Sequence, residues 1–275
     1  CRMSRPRRRR SIAVAALAAI GAGALAAPGL AAKDDLDLIS RATGPAGAPV
    51  DGNAIVPSIS ANGARVAFDS DADNISAEDN NAVRNIFVRD ASTNETIFVS
   101  RATGAAGAAG DGSSRNPAIS ADGRYVVFQS GADNLSPDDN NAVSNIFVRD
   151  LVNDTTTLVS RAPGLAGAAA DDNSFNPAIS GDGNRVAFQS SANNLSAEDN
   201  DAVVNVYVRD IDSGAVVFVS RATGAAGAPG DASSFDPDIS PSGRYVAFSS
   251  SADNLSAEDN NAFFNIFLRD LDAAT

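Results

Sequence analysis

Apolar residues in this chain come in short runs divided by polar and glycine-containing turns, and each run returns after 60 residues. Ser58-Ile59-Ser60 leads into the tight turn Ala61-Asn62-Gly63, and Arg65-Val66-Ala67-Phe68 follows. A long polar stretch, 69–83, precedes Asn85-Ile86-Phe87-Val88. After a turn over 89–95 comes Thr96-Ile97-Phe98-Val99-Ser100. Short runs rich in β-branched and aromatic residues, bounded by Asn, Asp, Gly and Ser, predict strands. The third and fourth runs are apolar throughout, the pattern of a sheet covered on both faces. Beyond residue 32 no stretch carries a helical period.

The period is strict. Pro57, Pro117, Pro177 and Pro237 are 60 apart, as are Phe68, Phe128, Phe188 and Phe248, and Arg89, Arg149, Arg209 and Arg269. A fixed period means that every copy meets its neighbours through the same contacts. A unit of four short antiparallel strands that cannot bury both faces alone predicts an all-β propeller of four-stranded blades. The repeats run over 45–104, 105–164, 165–224 and 225–275, within a propeller domain of 33–275. A β-sandwich or an open β-solenoid accounts less well for two tight turns and two long loops in every unit. Residues 36–44 (LDLISRATG) align with 96–104 (TIFVSRATG). The segment 36–43 therefore reads as a fourth strand that completes the last blade and closes a four-bladed ring, which would leave no open edge; the alternative is a fragment of a larger propeller.

Pro117-Ala118-Ile119-Ser120-Ala121-Asp122-Gly123-Arg124-Tyr125-Val126-Val127-Phe128, with Asn145-Ile146-Phe147-Val148-Arg149-Asp150 later in the same unit, resembles the WD40-like (PD40) propeller repeat of the TolB family. The resemblance covers all four copies and implies a blade fold. It implies no particular activity, since propellers host many unrelated ones.

In a strand meander both long loops of each unit emerge on one face, where binding residues are to be sought. The loop between the second and third strands repeats Asp79, Asn81 and Asn85; Asp139, Asn141 and Asn145; Asp199, Asp201 and Asn205; and Asp259, Asn261 and Asn265. These are hard oxygen ligands of the kind calcium takes six to eight of. The same side chains also suit a second role, bonding to nearby backbone to hold a long loop in shape. Positions where the copies disagree are the better candidates for a specific contact. Ile55, Arg115, Phe175 and Phe235 share one position before the first strand, and Arg84, Ser144, Val204 and Phe264 share another before the third. Arg115, Phe175, Phe235, Arg84 and Phe264 are the predicted partner-binding residues.

Composition narrows the chemistry. The sequence has no His, and its one Cys is Cys1, ahead of Met3. That removes Ser-His-Asp and Cys-His catalysis and the usual zinc ligands. An active site also needs one asymmetric constellation, and repeated acids do not supply one. Residues 1–32 read as an export signal starting at Met3, with arginines at 5 and 7–10, an Ala-rich apolar run over 11–27 and small residues up to Ala32. Cleavage takes six arginines with it, leaving 15 bases against 34 acids, a net charge of −19. So acidic a surface repels nucleic acid and anionic lipid. The expectation is an exported monomer, secreted, at the cell surface or periplasmic, with no membrane insertion after cleavage. It has no cofactor unless calcium, and it binds a protein or glycan partner without being an enzyme. The alternatives are a carboxylate-based glycan-active enzyme, the propeller part of a larger hydrolase, or a calcium-stabilised spacer.

Overall fold

The structure, a computed structural model, describes residues 36–272 apart from 80, 81, 200–202, 225, 226, 260 and 262. The export signal over 1–32, Asn81 and Asp201 lie outside the described residues. The fold is all-β. β1 (Ala54–Ile59), β2 (Arg65–Ser70), β3 (Asn85–Asp90) and β4 (Glu95–Phe98) form the first blade, an antiparallel meander in spatial order. β5 (Ser114–Ile119), β6 (Tyr125–Ser130), β7 (Asn145–Asp150) and β8 (Thr155–Leu158) form the second. β9 (Ser174–Ile179), β10 (Arg185–Ser190), β11 (Asn205–Asp210) and β12 (Val216–Phe218) form the third, and β13 (Ser234–Ile239), β14 (Tyr245–Ser250) and β15 (Asn265–Asp270) the fourth.

The strands follow the predicted runs, β2 and β3 extending two residues further to Ser70 and Asp90, and the first and fourth strands of the blade differ more. The first strand of each blade begins four residues earlier than its apolar run, at Ala54 rather than Ser58 in the first, because a β-bulge lets it continue: register shifts between Ile55 and Ser58, and Val56 has φ 52°. Asn116, Asn176 and Asp236 repeat that left-handed conformation, which Asn and Asp tolerate better than most residues. The fourth strand stops at Phe98 rather than Ser100, because the Ser100 hydroxyl takes over the ladder. It accepts from Ile86 N at 3.0 Å and donates to Asn85 Oδ1 at 2.8 Å.

The cores lie between blades. Ile86 and Val88 of the first blade, with Val99, pack on Ile119, Val126, Phe128, Phe147 and Leu158 of the second. The same interlock joins the second blade to the third and the third to the fourth. Within a blade the rings meet, Phe68 stacked on Phe87 at 5.9 Å and Phe87 tilted by 48° against Phe98 at 5.5 Å.

Polar ladders run alongside these cores. Ala61 N donates to Ala121 O at 2.9 Å, Ala121 N to Gly181 O at 3.0 Å and Gly181 N to Pro241 O at 2.9 Å. In parallel, Asn116 N donates to Asp69 Oδ2, Asn176 N to Gln129 Oε1 and Asp236 N to Gln189 Oε1. The fourth copy departs at both positions. Pro241 has no N–H, and Ser249, the counterpart of Asp69, donates to Phe235 O in its own blade. No strand pairing between 36–43 and β15 is detected among the described residues. Residues 40–50 instead lie on the first blade, where Gly44 N donates to Asn94 O and Thr43 Oγ1 to Thr96 O.

Candidate functional site

The bulges set up the long-loop face. Each re-aims the residue just before it, which sits at the mouth of the blade: Ile55 opposite Asp69, Arg115 opposite Gln129, Phe175 opposite Gln189 and Phe235 opposite Ser249. Consecutive bulges are tied side by side. Asn116 Nδ2 donates to Asn176 Oδ1 at 2.9 Å, and Asn176 Nδ2 to Asp236 Oδ1 at 3.0 Å. Arg115, Phe175 and Phe235 therefore stand on one hydrogen-bonded arc, Arg115 exposed and the two rings half-buried.

The second divergent position differs from blade to blade. Phe264 joins Phe235, with ring centroids 6.0 Å apart and tilted by 51°. Arg84 is engaged with its own blade: it donates to Asp69 Oδ1 at 2.6 Å and Asp71 Oδ2 at 2.7 Å, and its side chain is largely buried. It acts there as a strut. Phe263, exposed beside Phe264, belongs to the same patch. Its position carries Val83, Val143 and Val203 in the other copies, so it reads in the sequence as loop packing.

The repeated loop residues are spent largely on one another. Asn85 Nδ2 donates to Asp79 Oδ1 at 2.9 Å, and its Oδ1 accepts from Ser100. Asn145 Nδ2 donates to Asp139 Oδ1 at 3.0 Å and to Asn141 Oδ1 at 3.1 Å, while Ser160 donates to its oxygen. Asn205 Nδ2 donates to Asp199 Oδ1, and Asn265 Nδ2 to Asp259 Oδ2. Asn261 Oδ1 accepts from Phe263 N. In each blade the asparagine that opens the third strand thus turns an amide N–H, not its oxygen, towards the loop aspartate. Among the described residues no group of three or more carboxylates is placed to hold a metal ion.

One oxygen in these loops stands apart. Asp139 is buried and its Oδ2 has no hydrogen-bond partner among the described residues. In the third blade the Tyr207 hydroxyl donates to the equivalent oxygen of Asp199, whereas the second blade has Phe147 in that place. Desolvation pushes the Asp139 carboxyl up to about 6. Its folded pKa is raised above the unfolded value, so the proton is held more tightly in the folded state. Stability from this group is present in acid and lost as pH rises through 4 to 6. Phe147→Tyr should supply the missing donor and raise stability by about 1–2 kcal/mol at neutral pH, with little gain at pH 4. Urea unfolding at both pH values measures this; equal stability of variant and parent at neutral pH would show that water already satisfies the oxygen.

No protein-family model matches the chain, and no curated protein does. Solved structures do match. TolB from Acinetobacter baumannii is 16% identical, with a TM-score of 0.47, over 81% of this chain and 42% of its own. A putative TolB from Agrobacterium tumefaciens is 18% identical, with a TM-score of 0.49, over 83% and 61%. The β-propeller domain of the Trilobed protease from Pyrococcus furiosus is 14% identical, with a TM-score of 0.47, over 81% and 56%. The chain thus spans between 42% and 61% of the length of these structures. What it shares with them is the β-propeller fold.

Proposed function

We propose that this chain is an exported, non-enzymatic binding module that presents its long-loop face to a protein or glycan partner. One observation carries the reading: the motifs common to all copies are consumed in building blades, while residues that differ between copies gather on the hydrogen-bonded bulges. Arg149 and Asn145 have their polar atoms committed to the scaffold. Arg115, Phe175, Phe235 and Phe264 stand at positions that vary among the four copies, and together they offer one cation and three rings at the mouth of three consecutive blades. Aromatic and arginine side chains are the residue types that dominate binding energy in interfaces. The export signal that the sequence of 1–32 resembles supports a partner met outside the cytoplasm. Affinity capture from the producing cell's envelope and medium tests this, comparing the parent with a variant carrying Arg115→Ser, Phe175→Ser and Phe235→Ser. A partner held by the parent and lost by the variant is expected. The reading fails if neither retains anything, or if both retain the same species equally.

A further inference from the structure

Among the described residues one cation of the long-loop face has no partner. Every other described arginine is spent inside the chain, on a carboxylate or on backbone carbonyls. Arg115 is exposed and makes no hydrogen bond or ion pair among the described residues. It stands well inside the array, on β5 of the second blade, with the first blade on one side and the third on the other.

The reason lies across the strand. Arg115 pairs with Gln129 of β6, so the two side chains share one face of the sheet. The first copy carries Asp69 at the position of Gln129, and its oxygens accept from Arg84 at 2.6 Å and from Asn116 N at 3.3 Å. A carboxylate at 129 would neutralise Arg115, but an amide stands there. Its orientation is set by a backbone donor: Gln129 Oε1 accepts from Asn176 N at 3.2 Å and from Asn116 Nδ2 at 3.1 Å. Gln129 Nε2 is therefore turned away from the bulges, with no hydrogen-bond partner among the described residues.

A guanidinium and an amide N–H2 thus face each other as unspent donors, while the oxygens of Asp69, Gln129 and Asn176 are already taken. Such a pair suits a group that only accepts, and a carboxylate matches the fork of an arginine. Phe175 holds the equivalent position on the next blade, so an apolar ring follows the donors along the arc. A sugar would bring hydroxyls that need acceptors as well as donors. A carboxylate beside an apolar side chain needs only what the arc offers.

We propose that Arg115 and Gln129 Nε2 bind a carboxylate of a peptide partner, with Phe175 receiving the apolar side chain beside it. This rests on the reading of the long-loop face as a binding surface, and adds what the partner must carry. With 34 acids against 21 bases the chain repels a polyanion, and Asp236 lies one blade further along the arc. The peptide therefore carries an isolated carboxylate, not an acidic run.

Calorimetry of the full chain tests this with three N-acetylated tetrapeptides of Gly and Leu. One has a free C-terminal carboxylate, one a C-terminal amide, and one an amide with a single Glu ahead of the last Leu; a uronic-acid trisaccharide is the fourth ligand. One or both carboxylate peptides should bind at least about ten-fold more tightly than the neutral amide, the contribution of a hydrogen bond to a charged group. The tighter of the two tells a terminal from a side-chain carboxylate. Arg115→Gln removes the cation at an exposed position. Gln129→Glu keeps an oxygen for the bulges, as Asp69 does in the first blade, but sets an anion against Arg115. Each should abolish the preference for the carboxylate, with circular dichroism verifying the fold. The proposal is overturned if the amide binds as tightly as the acids, if the trisaccharide binds more tightly than every peptide, or if no peptide binds. A captured partner that Gln129→Glu retains and the triple serine variant loses would refute the carboxylate site and leave the binding face standing. Capture of nothing by the parent would count against the face reading alone, since the comparison of acid with amide needs no captured partner.

Discussion

Replacing Arg149 with Met is expected to destabilise the fold by about 3–5 kcal/mol, the range for breaking a buried charged network from one side. Arg149 is among the largest fully buried side chains in the molecule. One guanidinium nitrogen donates to Ala102 O, Asp154 O and Thr156 Oγ1 at 3.0, 2.9 and 3.1 Å; the other reaches Gly104 O at 3.1 Å and Asp154 Oδ1 at 2.9 Å. Two of those acceptors belong to the segment that crosses from the first blade into the second. The arginine therefore pins a connection as well as filling a core. Burial pushes its pKa down, the desolvation that the five hydrogen bonds offset. Met fills similar volume but leaves those acceptors without their donor. Arg149→Lys keeps the charge but not the fork, so it should recover less than half of the loss. Equilibrium urea unfolding of the three proteins measures both values; a loss under about 1 kcal/mol for Met would mean that water takes over the acceptors.

The second large effect is expected at Gly107. The residue sits where a Cβ would lie 1.9 Å from Ala102 O and 2.6 Å from Ala102 C, both backbone atoms. Gly47, Gly167 and Gly227 are equally close to Ala42 O, Ala162 O and Ala222 O. In each copy a glycine thus lets the inter-blade loop fold back on itself, and its carbonyl receives an arginine: Arg101 Nε donates to Gly107 O at 3.0 Å. Gly107→Ala must move the loop away from Ala102, the same residue whose carbonyl Arg149 holds. A loss of about 1–3 kcal/mol follows from overpacking alone. Since both changes act on one carbonyl, Gly107→Ala/Arg149→Met should cost less than the two single losses added together. Additive losses would show that the loop and the arginine act independently.

Much of the fold was legible because the sequence states each blade four times. A strand, a turn or a buried Phe that recurs at 60-residue spacing needs no single strong signal. The bulges were not legible. A left-handed φ at Val56 runs against its β-branched side chain, and only Asn116, Asn176 and Asp236 at the same position hint at it. At the candidate site, alignment of the copies singled out Phe235 and Phe264 at two separate positions, and their rings lie 6.0 Å apart. It could not show that Arg84 is held by Asp69 and Asp71, which lie on a strand and loop 15 and 13 residues earlier. Nor could it show that the asparagines of the acidic loops face their acids with nitrogen rather than oxygen. Asp139 was visible only in outline: Tyr207 in the third copy, where the second has Phe147, was the sign of a missing donor.

The separation between repeated scaffold and divergent contact residues can be measured in one variant carrying Arg115→Ser, Phe175→Ser, Phe235→Ser and Phe264→Ser. Its thermal midpoint should stay within a few degrees of the parent's, since exposed and half-buried positions outside the cores contribute little. Its retention of the captured partner should fall to background. A variant that melts like the parent and still holds the partner would contradict the assignment of binding to these positions.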